Sequence, residues 1–89
     1  METRRTYGRF VIDAKPMQLA DLRGWLPEFS LEEHLPAYVE DTMFYSSQVF
    51  GTRDDAILAS HELGRREVLR RTATHLHEDT YLNAQSDSN

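Results

Sequence analysis

The stretch Phe50-Gly51-Thr52-Arg53-Asp54-Asp55-Ala56-Ile57, running on through His61-Glu62-Leu63-Gly64-Arg65-Arg66 to Arg71, limits what this chain can become. It reads as the end of a strand, a helix cap, and then the one long helix the sequence can make. Thr52 suits an N-cap, because its hydroxyl can accept a bond from a first-turn N–H that has no partner in the helix. Asp55 takes the third helical position, where a capping box carries Glu or Gln, and its shorter side chain makes the reciprocal bond harder to close. Asp54 and Asp55 put negative charge at the positive end of the helix dipole. Arg65, Arg66, Arg70 and Arg71 put positive charge toward the other end.

At about 100° per residue, Ala56, Ile57, Ser60, Leu63, Gly64 and Val68 share one stripe, the natural core face. Gly64 stands in its middle, where glycine costs roughly 1 kcal/mol against alanine. Its presence predicts a close approach to a sheet with no room for a Cβ, the alternative being a plain tolerated surface glycine. Leu58 and Leu69 fall on the opposite side with Arg65 between them. They read either as ordinary exposed leucines or as part of a partner or dimer face.

Upstream, residues 1–6 read as a flexible polar lead-in. Tyr7 to Ala14 predicts a strand with Phe10, Ile12 and Ala14 on one face, ended by Lys15-Pro16. Met17 to Arg23 is a connection that can hold a helical turn. Trp25 to His34 alternates as a strand, with Pro27 marking an edge or a bulge. A short helix from Ser30 competes over residues 30–35, since Ser30-Leu31-Glu32-Glu33 also resembles a cap followed by acidic residues. Residues 35–41 read as a loop, or a loop with a little extended structure, and Thr42 to Phe50 as a third strand. The helix can continue to about residue 76, and residues 77–89 read as a disordered polar tail.

The expected class is α+β: a three-stranded antiparallel meander with one C-terminal helix on one face, a single domain over residues 7–76. Such a sheet leaves its other face without a cover. Val11, Leu26 and Phe44 are the residues expected there, and that face is the reason to expect self-association.

Eighty-nine residues make one small domain with a thin core. The absence of cysteine removes disulfides and thiolate chemistry and suits a reducing compartment. The formal net charge of −5 disfavours general binding to nucleic acid or anionic membrane. No apolar run approaches the ~20 residues a bilayer span needs. The first residues lack the apolar block of a secretory signal, so the cytoplasm is the expected location.

The run from Phe50 to Ile57 followed by Gly64-Arg65-Arg66 resembles small uncharacterised proteobacterial proteins. In those, a strand ending in an aromatic passes through a threonine or serine cap into a helix with a Gly-Arg pair. The resemblance implies a small meander-plus-helix domain of bacterial origin and no activity. The layout also resembles the three-strand-plus-helix DNA-binding domains of some tyrosine integrases, and plant domains of similar form, which read DNA with the exposed sheet face. This chain departs from them over residues 28–41, where Glu28, Glu32, Glu33, Glu40 and Asp41 stand with no Lys or Arg.

No catalytic, cofactor or metal site is expected. His75 and His77, with Glu78 and Asp79, have a spacing common by chance and read as a solvated tail rather than a metal site. His34 and His61 belong to no motif. The acidic run 28–41 reads as a solvated face that also protects edge strands from aggregation, or as a receiver of a basic partner. The arginines of the helix read as dipole partners with Glu62 and Glu67 nearby, or as a phosphate patch. The sequence thus predicts a non-enzymatic interaction module that self-associates or binds a protein. Its candidate contact residues are Val11, Leu26, Phe44, Leu58, Arg65 and Leu69. The alternative is a nucleic-acid-binding domain using the sheet face or the Arg65–Arg71 cluster.

Overall fold

A computed structural model describes the backbone of residues 1–87 and the side chains of residues 1–73. The architecture is α+β, but the main sheet has four strands rather than three. Its strands are β1 (Arg4–Tyr7), β2 (Phe10–Ala14), β5 (Phe29–His34) and β6 (Val39–Phe44), in the order β1-β2-β5-β6. Every neighbouring pair is antiparallel. A second, two-stranded sheet joins β3 (Met17–Gln18) to β4 (Trp25–Leu26). The helix α1 runs Arg53–Asp87.

The additional strand comes from the segment expected to be a flexible lead-in. Tyr7 pairs with Phe10 across a two-residue loop, Gly8-Arg9. Gly8 has φ +56° and Arg9 does not share the positive sign, the pattern of a type II′ hairpin turn, whose twist suits the flanking strands. The chain reverses there, so Arg4–Tyr7 lies along β2. Pro27-Glu28 divides the expected strand 25–34 into β4 and β5, as a proline without an N–H should. Residues 30–34 are strand, not helix. The loop expected at 35–41 shrinks to a tight reversal in which Leu35 N–H donates to Tyr38 O at 2.9 Å. Strand β6 therefore begins at Val39 and stops at Phe44, short of the expected end at residue 50. Phe50 instead makes an isolated antiparallel bridge to Trp25, with two 2.8 Å backbone bonds.

The helix begins as the sequence requires. The Thr52 hydroxyl accepts from Asp55 N–H at 3.1 Å, and the Thr52 carbonyl accepts from Ala56 N–H at 3.2 Å. No reciprocal bond from the Asp55 carboxylate is present among the described residues. Thr52→Ala is expected to cost about 1 kcal/mol, read as a lower urea midpoint with an unchanged slope.

The predicted stripe packs on β2 and β5. Ala56, Ile57, Ser60, Gly64 and Val68 are buried and Leu63 half-buried. They meet Phe10, Ile12, Ala14, Phe29 and Leu31, with Ile12, Leu31 and Ile57 wholly enclosed. Gly64 is where the sheet comes closest: a Cβ there would lie 2.7–2.9 Å from three side-chain atoms of Ile12. His61 adds to the stripe at 2% exposure.

The backbone of residues 77–87 is helical where a polar tail was expected. After Gly64 the sequence has no glycine or proline to stop a helix. Residues 88 and 89 and the side chains of His75 and His77 lie outside the described residues.

Candidate interaction surfaces

Cross-strand register assigns each side chain to a face. Phe10, Ile12 and Ala14 sit opposite Glu33, Leu31 and Phe29, and these in turn opposite Glu40, Thr42 and Phe44. That is the face under α1. Phe44 is therefore not on the opposite face, where the sequence pattern put it. It stacks on Phe29, with ring centroids 5.0 Å apart and planes 7° from parallel, against the core. The register of β6 on β5 decides this, because a one-residue slip exchanges the faces of a strand. Leu26 is also elsewhere, half-buried in β4 opposite Met17.

The other face carries three rows: Thr6, Val11, Glu32 and Asp41, then Arg4, Asp13, Ser30 and Met43, then His34 and Val39. Of the three residues expected here, only Val11 is present, and it is 8% exposed between Thr6 and Glu32. Arg4 contacts Asp13 at 3.5 Å and reaches across β2 to Glu32 at 3.6 Å. His34 Nε2 lies 3.2 Å from the same Glu32 carboxylate. Asp13, Glu32 and Asp41 outnumber Arg4, so the face is acidic rather than apolar or basic.

On the outer side of α1, Leu58 and Leu69 are exposed as expected, at 48% and 53%. Eleven positions separate them, roughly 16 Å along a helix, with Glu62 and Arg65 between. They do not form one apolar patch. Each arginine of the cluster has a carboxylate. Arg65 and Arg66 donate to Glu62 at 2.8 and 3.3 Å, and Arg70 and Arg71 donate to Glu67 at 2.6 and 3.1 Å. Arg71 also reaches Glu33 on β5 at 3.4 Å.

Hydrogen bonds, first from Arg70 and then from Arg71, hold the Glu67 carboxyl below its ordinary 4.5 against the opposing effect of burial. Arg65 and then Arg66 do the same for Glu62, again opposed by desolvation. A carboxylate whose folded value is depressed stabilises the fold above its unfolded value and loses that contribution as pH falls through the folded one. The helix is therefore expected to lose stability as pH drops below about 4.5. Urea midpoints measured against pH should fall there, and a Glu62→Gln/Glu67→Gln chain should show a flatter acid slope.

The two edges of the main sheet are β1 and β6, and each pairs on one side only. Exposed apolar side chains gather along the β6 edge: Tyr38, Val39, Met43 and Tyr45. Among the described residues Arg5 on β1, and Glu40 and Asp41 on β6, enter no ion pair. Sequence reasoning missed the β1 edge, which it read as a lead-in, and set the other edge strand at 42–50 rather than Val39–Phe44, since Arg4–Thr6 and Val39–Asp41 are exposed and show no apolar alternation. The acidic run containing Glu40-Asp41 did carry the edge signal, because charges commonly guard a sheet edge, but it did not say where the strand begins.

The buried histidine has a structural partner. His61 Nε2 lies 3.1 Å from the Glu2 carbonyl oxygen, which can only accept, so this nitrogen carries the proton. Its Nδ1 is buried without a partner. The adjacent Ser60 hydroxyl donates to Glu28 O at 3.2 Å. Among the described residues no group of three or more His, Asp or Glu is placed to hold a metal ion, and no helix is long and apolar enough to cross a membrane.

Compared with protein-family models, curated proteins and solved structures, the chain matches none. The functional reading therefore rests on the chain's own geometry.

Proposed function

We propose that this protein is a small non-enzymatic interaction module that associates with further copies of itself, with the cytoplasm as its compartment. The observation that carries this reading is the pair of unpaired strand edges on one small sheet. An uncovered edge offers a row of backbone donors and acceptors to another strand. A domain of this size also gains more from association than a larger one, because its own core is limited. The acidic sheet face and the carboxylates already bonded to Arg65, Arg66, Arg70 and Arg71 both oppose phosphate binding, so no observation favours the nucleic-acid alternative.

Sedimentation over a wide concentration range tests the proposal. Average mass is expected to rise with concentration, and a chain that stays monomeric at the highest concentration rejects the reading.

A further inference from the structure

The two edges of the sheet carry opposite charge and complementary geometry. In the order β1-β2-β5-β6, with every neighbour antiparallel, β1 and β6 run in opposite directions. If two copies lie side by side in the same orientation, β6 of one meets β1 of the next as an antiparallel pair.

Backbone phase agrees. Ala14 N–H donates to Thr3 O, so Thr3, Arg5 and Tyr7 turn their backbone groups toward β2. Arg4 and Thr6 then turn theirs outward, by the alternation of an antiparallel ladder. On the other side, His34 N–H donates to Arg9 O, which turns His34, Glu32 and Ser30 toward β2. Phe29, Leu31 and Glu33 therefore bond Phe44, Thr42 and Glu40. Val39, Asp41 and Met43 are left with outward N–H and C=O groups. The outward residues of both edges carry their side chains on the same, helix-free face of the sheet. Two copies can thus join without inverting either sheet.

Charge selects the register. With Arg4 opposite Asp41 of the neighbouring copy, Arg5 falls opposite Glu40, Thr6 opposite Val39 and Thr3 opposite Thr42. One charge pair forms on each face, and Arg5, Glu40 and Asp41 all lack an ion pair in the single chain. A shift by two residues one way sets Thr6 against Asp41 and Arg5 against Thr42, losing both pairs. A shift by two the other way sets Glu2 against Asp41, and like charges directly opposite are destabilising. A shift by one exchanges the faces. Pairing β6 with itself sets Asp41 against Asp41 or Glu40 against Glu40 in two of its registers, and pairing β1 with itself sets Arg4 against Arg4 or Arg5 against Arg5 in two of its own. The remaining self-registers of Val39–Phe44 and of Arg4–Tyr7 form no charge pair.

We propose that the chain assembles head to tail, β1 of each copy adding to the β6 edge of the next, with Arg4 paired to Asp41 and Arg5 to Glu40. This rests on the reading of the protein as self-associating and specifies the contact. The contact is heterologous and leaves an edge exposed at each end, so it grows rather than closing at a dimer.

Edge-blocked variants of the full chain, followed by sedimentation and light scattering, test it. Asp41→Pro and Thr6→Pro each remove an outward N–H that the chain's own ladder does not use, and proline is tolerated at such edge positions. Each alone is expected to be monomeric. An equal mixture is expected to give a one-to-one dimer and nothing larger, since one variant keeps β1 and the other keeps β6. Far-UV circular dichroism verifies folding. Should either proline variant fail to fold, Glu40→Lys/Asp41→Lys and Arg4→Glu/Arg5→Glu serve instead: each alone is blocked, and the mixture grows again through two complementary contacts. Raising salt from about 0.1 M to about 1 M shortens the Debye length from about 10 Å to about 3 Å and is expected to weaken growth of the unaltered chain. Edge variants that associate like the unaltered chain overturn this contact and leave self-association standing. An unaltered chain that is monomeric at every concentration overturns both.

Discussion

Gly64→Val is expected to destabilise the fold by about 3 kcal/mol, the upper part of the range for overpacking a filled core. The cause is local and specific. A Cβ at this position would stand 2.7, 2.8 and 2.9 Å from Ile12 Cδ1, Cγ2 and Cγ1. Ile12 is wholly buried in the central strand β2, so it has little freedom to withdraw. Gly64→Ala meets the same atoms with only the methyl. Its packing cost is offset in part by the roughly 1 kcal/mol that alanine contributes to a helix interior. A double-mutant cycle separates the two effects. In an Ile12→Ala chain the obstructing atoms are gone, and Gly64→Ala is expected to become stabilising by up to about 1 kcal/mol. Urea unfolding of the four chains measures the cycle. If Gly64→Ala has the same effect with and without the Ile12 side chain, the close approach is not what glycine is there for.

Leu31→Ala carries the second large effect, an expected loss of about 2–5 kcal/mol. Leu31 is fully enclosed at the centre of β5, between Ile12 on β2 and Thr42 on β6 and beneath α1. Marginal stability of about 0.05–0.15 kcal/mol per residue leaves a domain of this size little reserve against such a loss. Circular dichroism of the variant is expected to show substantial unfolding near room temperature, recovered by a stabilising osmolyte. Leu69→Ala, on the exposed side of the same helix, is the control and is expected to change stability by about 0.5 kcal/mol or less. Equal effects from the two leucines would place the core on the wrong side of α1.

Gly64 and Leu31 differ in how fully their surroundings are written into the neighbouring residues of the chain. The Thr52 cap, the direction of α1 and its buried stripe follow from interactions within a few residues or from helical periodicity, and the glycine on that stripe signals the pinch, whose partner Ile12 the fold supplies. The sequence states them almost in full. The ion pairs from Glu62 and Glu67 belong with them, since three and four positions along a helix are neighbours whatever else the chain does. So does the inward face of β2, because Phe10, Ile12 and Ala14 alternate cleanly. Leu31 alternates too, but Ser30-Leu31-Glu32-Glu33 suits a helix start as well, and pairing with β2 and β6 decides for the strand.

The β1 edge, the start of β6 at Val39 and the contact proposed between the two edges came only from the tertiary structure. Arg4–Tyr7 is nearly all exposed, and Val39–Asp41 is exposed throughout, so neither β1 nor the first half of β6 displays the alternation that burial of one face imprints on a sequence. Phe44 shows the same limit: its chemistry suits either side, and only its place opposite Phe29 assigns it to the core. A helix reveals its face through neighbours along the chain. A strand takes its face, its edge and its partner from pairing across distant residues, and long-range register is a property of the folded molecule.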